Sequence, residues 1–217
     1  MHRREKSGMV RVKVCGITNE QDAMMAVETG ATALGFIFAR SPRRISPRNA
    51  RRIIRYLPPF VETVGVFVNE EPEKIRDVME FCGLDLAQLH GDESPGACEA
   101  LAPRCMKAVR VGSAAAFHGI GSYQGKVRAL LLDTYSGEKR GGTGNTFDWT
   151  LAGEAKKTGI PIVLAGGLDP YNIEEAVLAV RPFAVDINSG IEERPGKKSR
   201  FLMEELMERI GKINREA

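Results

Sequence analysis

The sequence has few of the features that mark metal-binding, membrane or nucleic-acid-binding proteins. Its four cysteines contain no Cys-x-x-Cys pair and its three histidines are scattered, so no metal site is predicted. No apolar run approaches the roughly 18 residues of a membrane span. The 31 basic residues exceed the 28 acidic ones by a net charge of only +3, which does not favour nucleic acid as a partner.

The N-terminal residues carry no recognisable targeting signal. Residues 1–8, MHRREKSG, are charged and lack the apolar stretch of a signal peptide, so we expect a reduced, cytoplasmic protein. The regular apolar pattern begins at Met9, and we interpret residues 1–8 as a flexible tail, or as sequence upstream of an alternative start, and residues 9–217 as a single catalytic domain. A length of 217 residues with 43% hydrophobic content suffices for one buried core. A monomer and a homodimer fit the sequence equally well.

Eight apolar, β-branched runs recur along the chain and predict eight strands. Their starts lie 21 to 33 residues apart, which leaves room for one strand and one helix in each repeat. This pattern predicts an α/β fold, a (β/α)₈ TIM barrel with parallel strands. A doubly wound open sheet is the alternative, but the turn after the first run reads CGITNE and lacks the GxGxxG fingerprint. The runs span residues 10–15, 33–38, 62–68, 85–89, 106–111, 128–133, 161–165 and 183–187.

The segments between the runs carry helix start and stop signals. Thr18 and Gln21 predict a capping box, and Gly30 predicts the end of that first helix. Residues 112–125 are rich in glycine and predict only a short helix. Three further helix starts are predicted where a capping residue precedes proline: Ser46-Pro47, Glu71-Pro72 and Asp169-Pro170.

A thiol and a carboxylate lie at matching points of this pattern. Cys15 ends the first run and Asp133 ends the sixth. Since the C-terminal ends of barrel strands converge on one mouth, both side chains are predicted to face the same ligand as catalytic residues. Cys15 could equally be a small buried hydrophobic residue, and Asp133 could cap a helix or loop. Lys13 has the same strand parity as Cys15, and a nearby cation would favour the thiolate. An acid and a base at one mouth could move protons at two substrate atoms, which suggests isomerisation.

Glycine-rich segments follow the last three runs and predict a phosphate site. Exposed backbone N–H groups can approach an anion closely there, in the position where barrels often hold phosphate. Each segment alone is typical of a tight turn, but together they indicate a ligand that carries a phosphate group. The candidate phosphate-binding residues are Gly142, Gly144, Gly166, Gly167, Ser189 and Gly190.

Other polar residues near the run ends are candidates for substrate binding. Arg40, Arg43 and Arg44 follow the second run, where a guanidinium could bind a carboxylate with two hydrogen bonds, and spacing does not choose among them.

The fourth and eighth runs add three more substrate-binding candidates. Gln88 and His90 end the fourth run, and His90 could equally be hydrogen-bonded scaffolding. Asp186, near the end of the eighth run, could line the mouth opposite Asp133 or cap the backbone of the glycine loop.

Seven segments at the predicted strand ends carry a resemblance to a known family. In this order and spacing, the chain resembles the phosphoribosylanthranilate isomerases, (β/α)₈ enzymes of tryptophan biosynthesis. The segments are VKVCGIT (12–18), GFIF followed by SPRRISP (35–47), VGVFVNE (64–70), AQLHGDE (87–93), LLDTYSGEKRGGTGNTFDW (131–149), LAGGLDPYN (164–172) and AVDINSGIEERPGKK (184–198).

The resemblance implies an aldose–ketose isomerase that uses no cofactor or metal. Its reaction is the Amadori rearrangement of N-(5-phosphoribosyl)anthranilate to 1-(2-carboxyphenylamino)-1-deoxyribulose 5-phosphate. It implies that Asp133 is the general acid, that Cys15 is the general base, and that Arg43 binds the anthranilate carboxylate. The chain departs from the family pattern at Arg44, where an aromatic residue is frequent, and at Asn188, where a serine is common.

Two other classes of function share some of these features. A sugar-phosphate epimerase or an indole-glycerol-phosphate synthase would have the same phosphate loops, but epimerases of this fold generally need metal-binding histidines that this spacing lacks. A barrel that only binds a sugar phosphate would also keep the glycine loops. Turnover of the aryl-ribosylamine, compared with ligand binding alone, discriminates among them.

Overall fold

The predicted barrel is confirmed by a computed structural model, which describes residues 9–112, 114–133 and 152–216. Eight parallel strands close in sequence order, each hydrogen-bonded to the next and the eighth to the first. All eight predicted strands are present. They are β1 (Arg11–Val14), β2 (Ala33–Ile37), β3 (Glu62–Phe67), β4 (Leu86–Leu89), β5 (Cys105–Arg110), β6 (Leu130–Asp133), β7 (Ile162–Ala165) and β8 (Ala184–Ile187).

Helices connect successive strands on the outside of the barrel. After β5, two 3₁₀ turns, Ala114–Phe117 and Ile120–Tyr123, stand where the glycine-rich sequence predicts only a short helix. A small antiparallel hairpin of β9 (Glu192–Arg194) and β10 (Lys197–Lys198) follows β8. The helices are α1 (Glu20–Thr29), α2 (Pro47–Ile54), α3 (Pro72–Cys82), α4 (Pro95–Glu99), α5 (Ala152–Lys156), α6 (Ile173–Val180) and α7 (Arg200–Glu216).

The start of α1 differs from its prediction. The capping box of Thr18 and Gln21 is wrong, because the Asn19 side chain caps the helix by accepting from the backbone N–H of Asp22 at 2.8 Å. Thr18 instead donates its hydroxyl to the carbonyl of Gly196 at 2.7 Å. The predicted end is confirmed, since Gly30 adopts φ 112°, a left-handed conformation that suits glycine.

The other predicted starts have mixed outcomes. Ser46 caps α2 by accepting from Asn49 N, and α3 begins at Pro72 as predicted. The start at Asp169-Pro170 is wrong, because α6 begins at Ile173. The Asp169 carboxylate accepts from the N–H groups of the next turn, which delays the helix by three residues.

Replacing Asn19 with alanine should lower the free energy of unfolding by about 1 kcal/mol, because the Asp22 N–H loses its acceptor. Urea denaturation followed by circular dichroism measures this change. Asn19→Asp is the matched control, since its carboxylate can still cap the helix. Equal stability of Asn19→Ala and wild type would contradict the capping role.

The apolar side chains form two cores, one on the outer face of the strands and one on their inner face. One lies between the barrel and the helices and includes Leu34, Phe36 and Ile53. The other fills the barrel with many small side chains, which leaves a cavity of about 230 Å³ at the N-terminal ends of the strands, opposite the end that carries Cys15. Among the described residues, no helix is both long and apolar enough to cross a bilayer.

Candidate active site

Cys15 lies at the C-terminal rim of the barrel, directly after β1. Its backbone N–H donates to the carbonyl of Ile187 at 2.8 Å, which extends the pairing of β1 with β8 by one residue. A Cβ added to Gly35 of β2 would lie 2.7 Å from Cys15 Sγ and 2.9 Å from Lys13 Nζ. The missing side chain of Gly35 therefore leaves room for both groups, which share the inner side of the barrel as their parity predicts.

Lys13 and Asp186 form a buried ion pair beside the thiol. They are direct partners in the β1–β8 register, and Lys13 Nζ donates to Asp186 Oδ1 at 2.8 Å. Burial alone would lower the pKa of Lys13, but the charges and hydrogen bonds of Asp186 and Cys15 outweigh burial and raise that pKa above its usual value. Lys13 therefore stays an ammonium next to the sulfur.

The thiol of Cys15 is harder to ionise than a free thiol. Burial raises its pKa, the Lys13 ammonium lowers it, and the Asp186 carboxylate raises it again, so the net direction is upward from 9.0. The cation thus acts in the direction that the sequence predicts but does not overcome burial. At neutral pH the resting group is the thiol.

Asp133 ends β6 at the same rim and belongs to a hydrogen-bonded chain. Its Oδ2 lies 3.0 Å from His90 Nε2, and His90 Nδ1 lies 2.9 Å from Gln88 Nε2. With the amide in this orientation, Gln88 donates to Nδ1, so the imidazole carries its proton on Nε2 and donates to Asp133. Gln88 Oε1 is buried and has no hydrogen-bond partner in the described part of the chain.

Arg43 is the one partly buried arginine among the three candidates after β2, since Arg40 and Arg44 are exposed. Arg43 Nε donates to both carboxylate oxygens of Glu192, at 2.9 and 3.0 Å, and Nη2 donates to Oε2 at 2.6 Å. The hydrogen bond to Glu192 raises the pKa of Arg43. Burial alone would raise the pKa of Glu192, but Arg43 and Lys198 together lower it, so this carboxylate is ionised.

The glycine loops after β7 and β8 pack against each other. Gly166 and Gly167 adopt φ 92° and 65°, which other residues rarely adopt. A Cβ added to Gly190 would lie 2.0 Å from the carbonyl oxygen of Leu168, so any side chain there would force the loops apart. Ser189 is exposed beside Gly190. Gly142 and Gly144, the remaining predicted phosphate ligands, lie outside the described residues.

Comparison with known proteins decides the family. The profile of the N-(5'-phosphoribosyl)anthranilate isomerase family matches residues 12–209. A protein of that name from Trichlorobacter lovleyi is 52% identical over 191 residues, which cover 88% of this chain and 92% of the relative. The chain belongs to this family. The resemblance of the motifs is therefore confirmed.

Solved isomerase structures have the same fold. The crystal structure of the Thermotoga maritima phosphoribosylanthranilate isomerase superposes with a TM-score of 0.86 at 46% identity, covering 94% of this chain and all of that one. A second isomerase structure, in complex with reduced 1-(o-carboxyphenylamino)-1-deoxyribulose 5-phosphate, superposes with a TM-score of 0.83 at 44% identity, with the same coverage.

The sequence did not reveal two charged residues that lie beside Arg43 in this candidate site, Glu192 and Lys198. Lys198 is fully buried, and its Nζ lies 3.0 Å from Glu192 Oε1. Both belong to the β9–β10 hairpin, whose turn at Pro195-Gly196 is the only local signal that the segment folds back. Within the described ranges, no three His, Cys, Asp or Glu side chains are grouped as metal ligands.

Proposed function

We propose that this chain catalyses the Amadori rearrangement of N-(5-phosphoribosyl)anthranilate to 1-(2-carboxyphenylamino)-1-deoxyribulose 5-phosphate in tryptophan biosynthesis. The observation that carries the proposal is the placement of Cys15 and Asp133 at one rim of a barrel of the isomerase family. Neither a cofactor nor a metal enters the reaction, because proton transfers alone convert the aminoaldose to the aminoketose.

Asp133 acts as the general acid in the first step. Its proton passes to the ribose ring oxygen, the bond from C1 to that oxygen breaks, and the nitrogen lone pair forms the C1=N bond of a Schiff base. Asp133 must hold a proton beforehand, and a half-turn of the Gln88 amide would favour this state. Gln88 Oε1 would then accept from His90 Nδ1–H, and His90 Nε2 would accept from the protonated carboxyl.

Cys15 acts as the general base in the second step. Its thiolate removes the proton from C2, and the electron pair of that C–H bond forms C1=C2 while nitrogen is neutralised. The resulting enolamine then gains a proton at C1 and loses the hydroxyl proton at C2 to give the aminoketone. Lys13 stabilises the thiolate during this step, because its ammonium lies beside the sulfur.

The remaining candidates bind the substrate, some at its two anionic ends and others beside the reacting atoms. Arg43 takes the anthranilate carboxylate. Gln88 and His90 contribute on the Asp133 side, and Asp186 contributes on the Cys15 side. The phosphate lies against the backbone of Gly142, Gly144, Gly166, Gly167, Ser189 and Gly190. A cytoplasmic location, a monomeric or homodimeric state and the absence of a nucleic-acid partner stay predictions from composition.

The direct test is turnover by the purified chain. We expect loss of the fluorescence of freshly prepared N-(5-phosphoribosyl)anthranilate on addition of the protein, and growth of a tryptophan-requiring strain that lacks this step. A chain that binds the reduced product analogue without consuming substrate would instead be a binding protein. The chain started at Met9 should rescue growth as well as the chain started at Met1.

A further inference from the structure

Arg43 presents one edge of its guanidinium to Glu192 and keeps the other edge for a ligand. The Nε–H group and one N–H of Nη2 are used by the Glu192 carboxylate. The edge formed by Nη1 and the second N–H of Nη2 has the two parallel donors that a carboxylate binds best. Within the described part of the chain, Arg43 Nη1 donates no hydrogen bond, since those of this side chain come from Nε and Nη2.

Glu192 alone would cancel the charge that Arg43 needs. An arginine paired with a carboxylate is neutral as a unit, and a second carboxylate would gain little from approaching it. Lys198 changes this balance. Its Nζ contacts three acceptors, the backbone oxygen and Oδ1 of Asn188 at 3.1 Å each and Glu192 Oε1 at 3.0 Å. An ammonium group has three N–H donors and a neutral amine only two, so three acceptors within 3.1 Å favour the ammonium form. Burial lowers the pKa of Lys198, and the charge and hydrogen bond of Glu192 act against that decrease.

The three charged groups together therefore carry one net positive charge next to Cys15. A Cβ added to Gly16 would lie 2.8 Å from Arg43 Cδ and 2.7 Å from Asn188 Oδ1, so both side chains pack directly on the backbone that follows the thiol. The backbone N–H of Lys198 donates to the buried Asp22 carboxylate of α1 at 2.8 Å. This contact fixes the hairpin to the barrel.

We propose that Glu192 and Lys198 are positioning residues that make the site specific for a carboxylate-bearing aryl group. Glu192 orients the guanidinium, and Lys198 restores the positive charge that Glu192 removes. The inference rests on the proposed function, in which Arg43 binds that carboxylate. It identifies two residues that act through Arg43 and do not touch the reacting atoms.

The test compares Lys198→Met, Glu192→Gln and the double variant. For Lys198→Met we expect KM to rise by roughly 10- to 100-fold with little change in kcat, as for the loss of a hydrogen bond to a charged group. The two ligands compared are the reduced product analogue and the same molecule with a carboxamide in place of the aryl carboxylate. The preference of Lys198→Met for the carboxylate over the carboxamide should fall by the same factor. Glu192→Gln should keep that preference. The double variant, which again has one net positive charge, should regain much of the binding that Lys198→Met loses.

Lys197→Met is the matched control, because Lys197 is an exposed neighbour in the same hairpin that pairs with Glu193. It should behave as wild type. A wild-type KM and carboxylate preference in Lys198→Met, or a double variant no better than Lys198→Met, would overturn the inference. If Lys198→Met fails to fold, the carboxylate preferences of Glu192→Gln and the double variant still decide the inference. An equal loss of that preference in both variants would contradict the charge argument. Absence of wild-type turnover overturns the proposed function, whereas calorimetric titration with the two analogues tests the network separately.

Discussion

Replacing Asp133 with asparagine is expected to lower kcat by about 10²- to 10⁴-fold, the usual contribution of a positioned general acid. The amide keeps the shape of the carboxyl and still accepts the hydrogen bond from His90 Nε2, which lies 3.0 Å from the carboxylate. It cannot donate a proton of comparable acidity to the ring oxygen, so ring opening slows. The side chain is 22% exposed at the end of β6, so stability should change little.

Fluorescence assays at saturating substrate, with thermal unfolding of the same samples, measure the two effects separately. Asp77→Asn is the matched control, since it removes an exposed carboxylate from α3. It should retain full turnover. An Asp133→Asn enzyme with near wild-type kcat would refute the assignment of the acid, even if binding of the product analogue were unchanged.

The strands of this barrel could be predicted because burial on both faces imposes continuous apolar runs. Helix starts were less predictable where two capping residues compete. Thr18 and Asn19 are both good caps, and only the distant carbonyl of Gly196, which accepts the Thr18 hydroxyl, decides between them. Asp169 and Asn172 present the same ambiguity, because an aspartate can stabilise a turn as well as a helix.

The placement of the candidate site residues was predictable where it follows from position at a strand end. Cys15 and Asp133 needed only the rule that C-terminal strand ends share one mouth. The pairing of Lys13 with Asp186 depends on the register between β1 and β8, across 173 residues, which no local pattern encodes. Glu192 and Lys198 could not be predicted for another reason. They lie in an irregular hairpin, where charged residues are normally solvated, and here tertiary packing buries them.

Replacing Cys15 with serine should lower kcat/KM by about 10²- to 10⁴-fold and should also change its dependence on pH. In the proposed mechanism the anionic thiolate is the base, and burial raises the pKa of the thiol above 9.0. Only a small fraction of the sulfur is therefore ionised at neutral pH. That fraction should rise about tenfold per pH unit on the acid side of the thiol pKa. Because Asp133 must stay protonated in both proteins, the ratio of wild-type kcat/KM to that of Cys15→Ser, rather than either value alone, should rise by this factor.

The serine hydroxyl does not ionise in this range, so only the wild-type protein gains active base as pH rises, and the two pH profiles should differ in slope as well as in rate. Initial rates between about pH 6 and 9 in both proteins measure this difference. Cys82→Ser is the matched control, because Cys82 is also buried and has its pKa raised to about 11, but it donates to Pro47 O away from the mouth. Its pH profile should match wild type. A ratio of wild-type to Cys15→Ser kcat/KM that stayed constant over this pH range would show that another group removes the C2 proton.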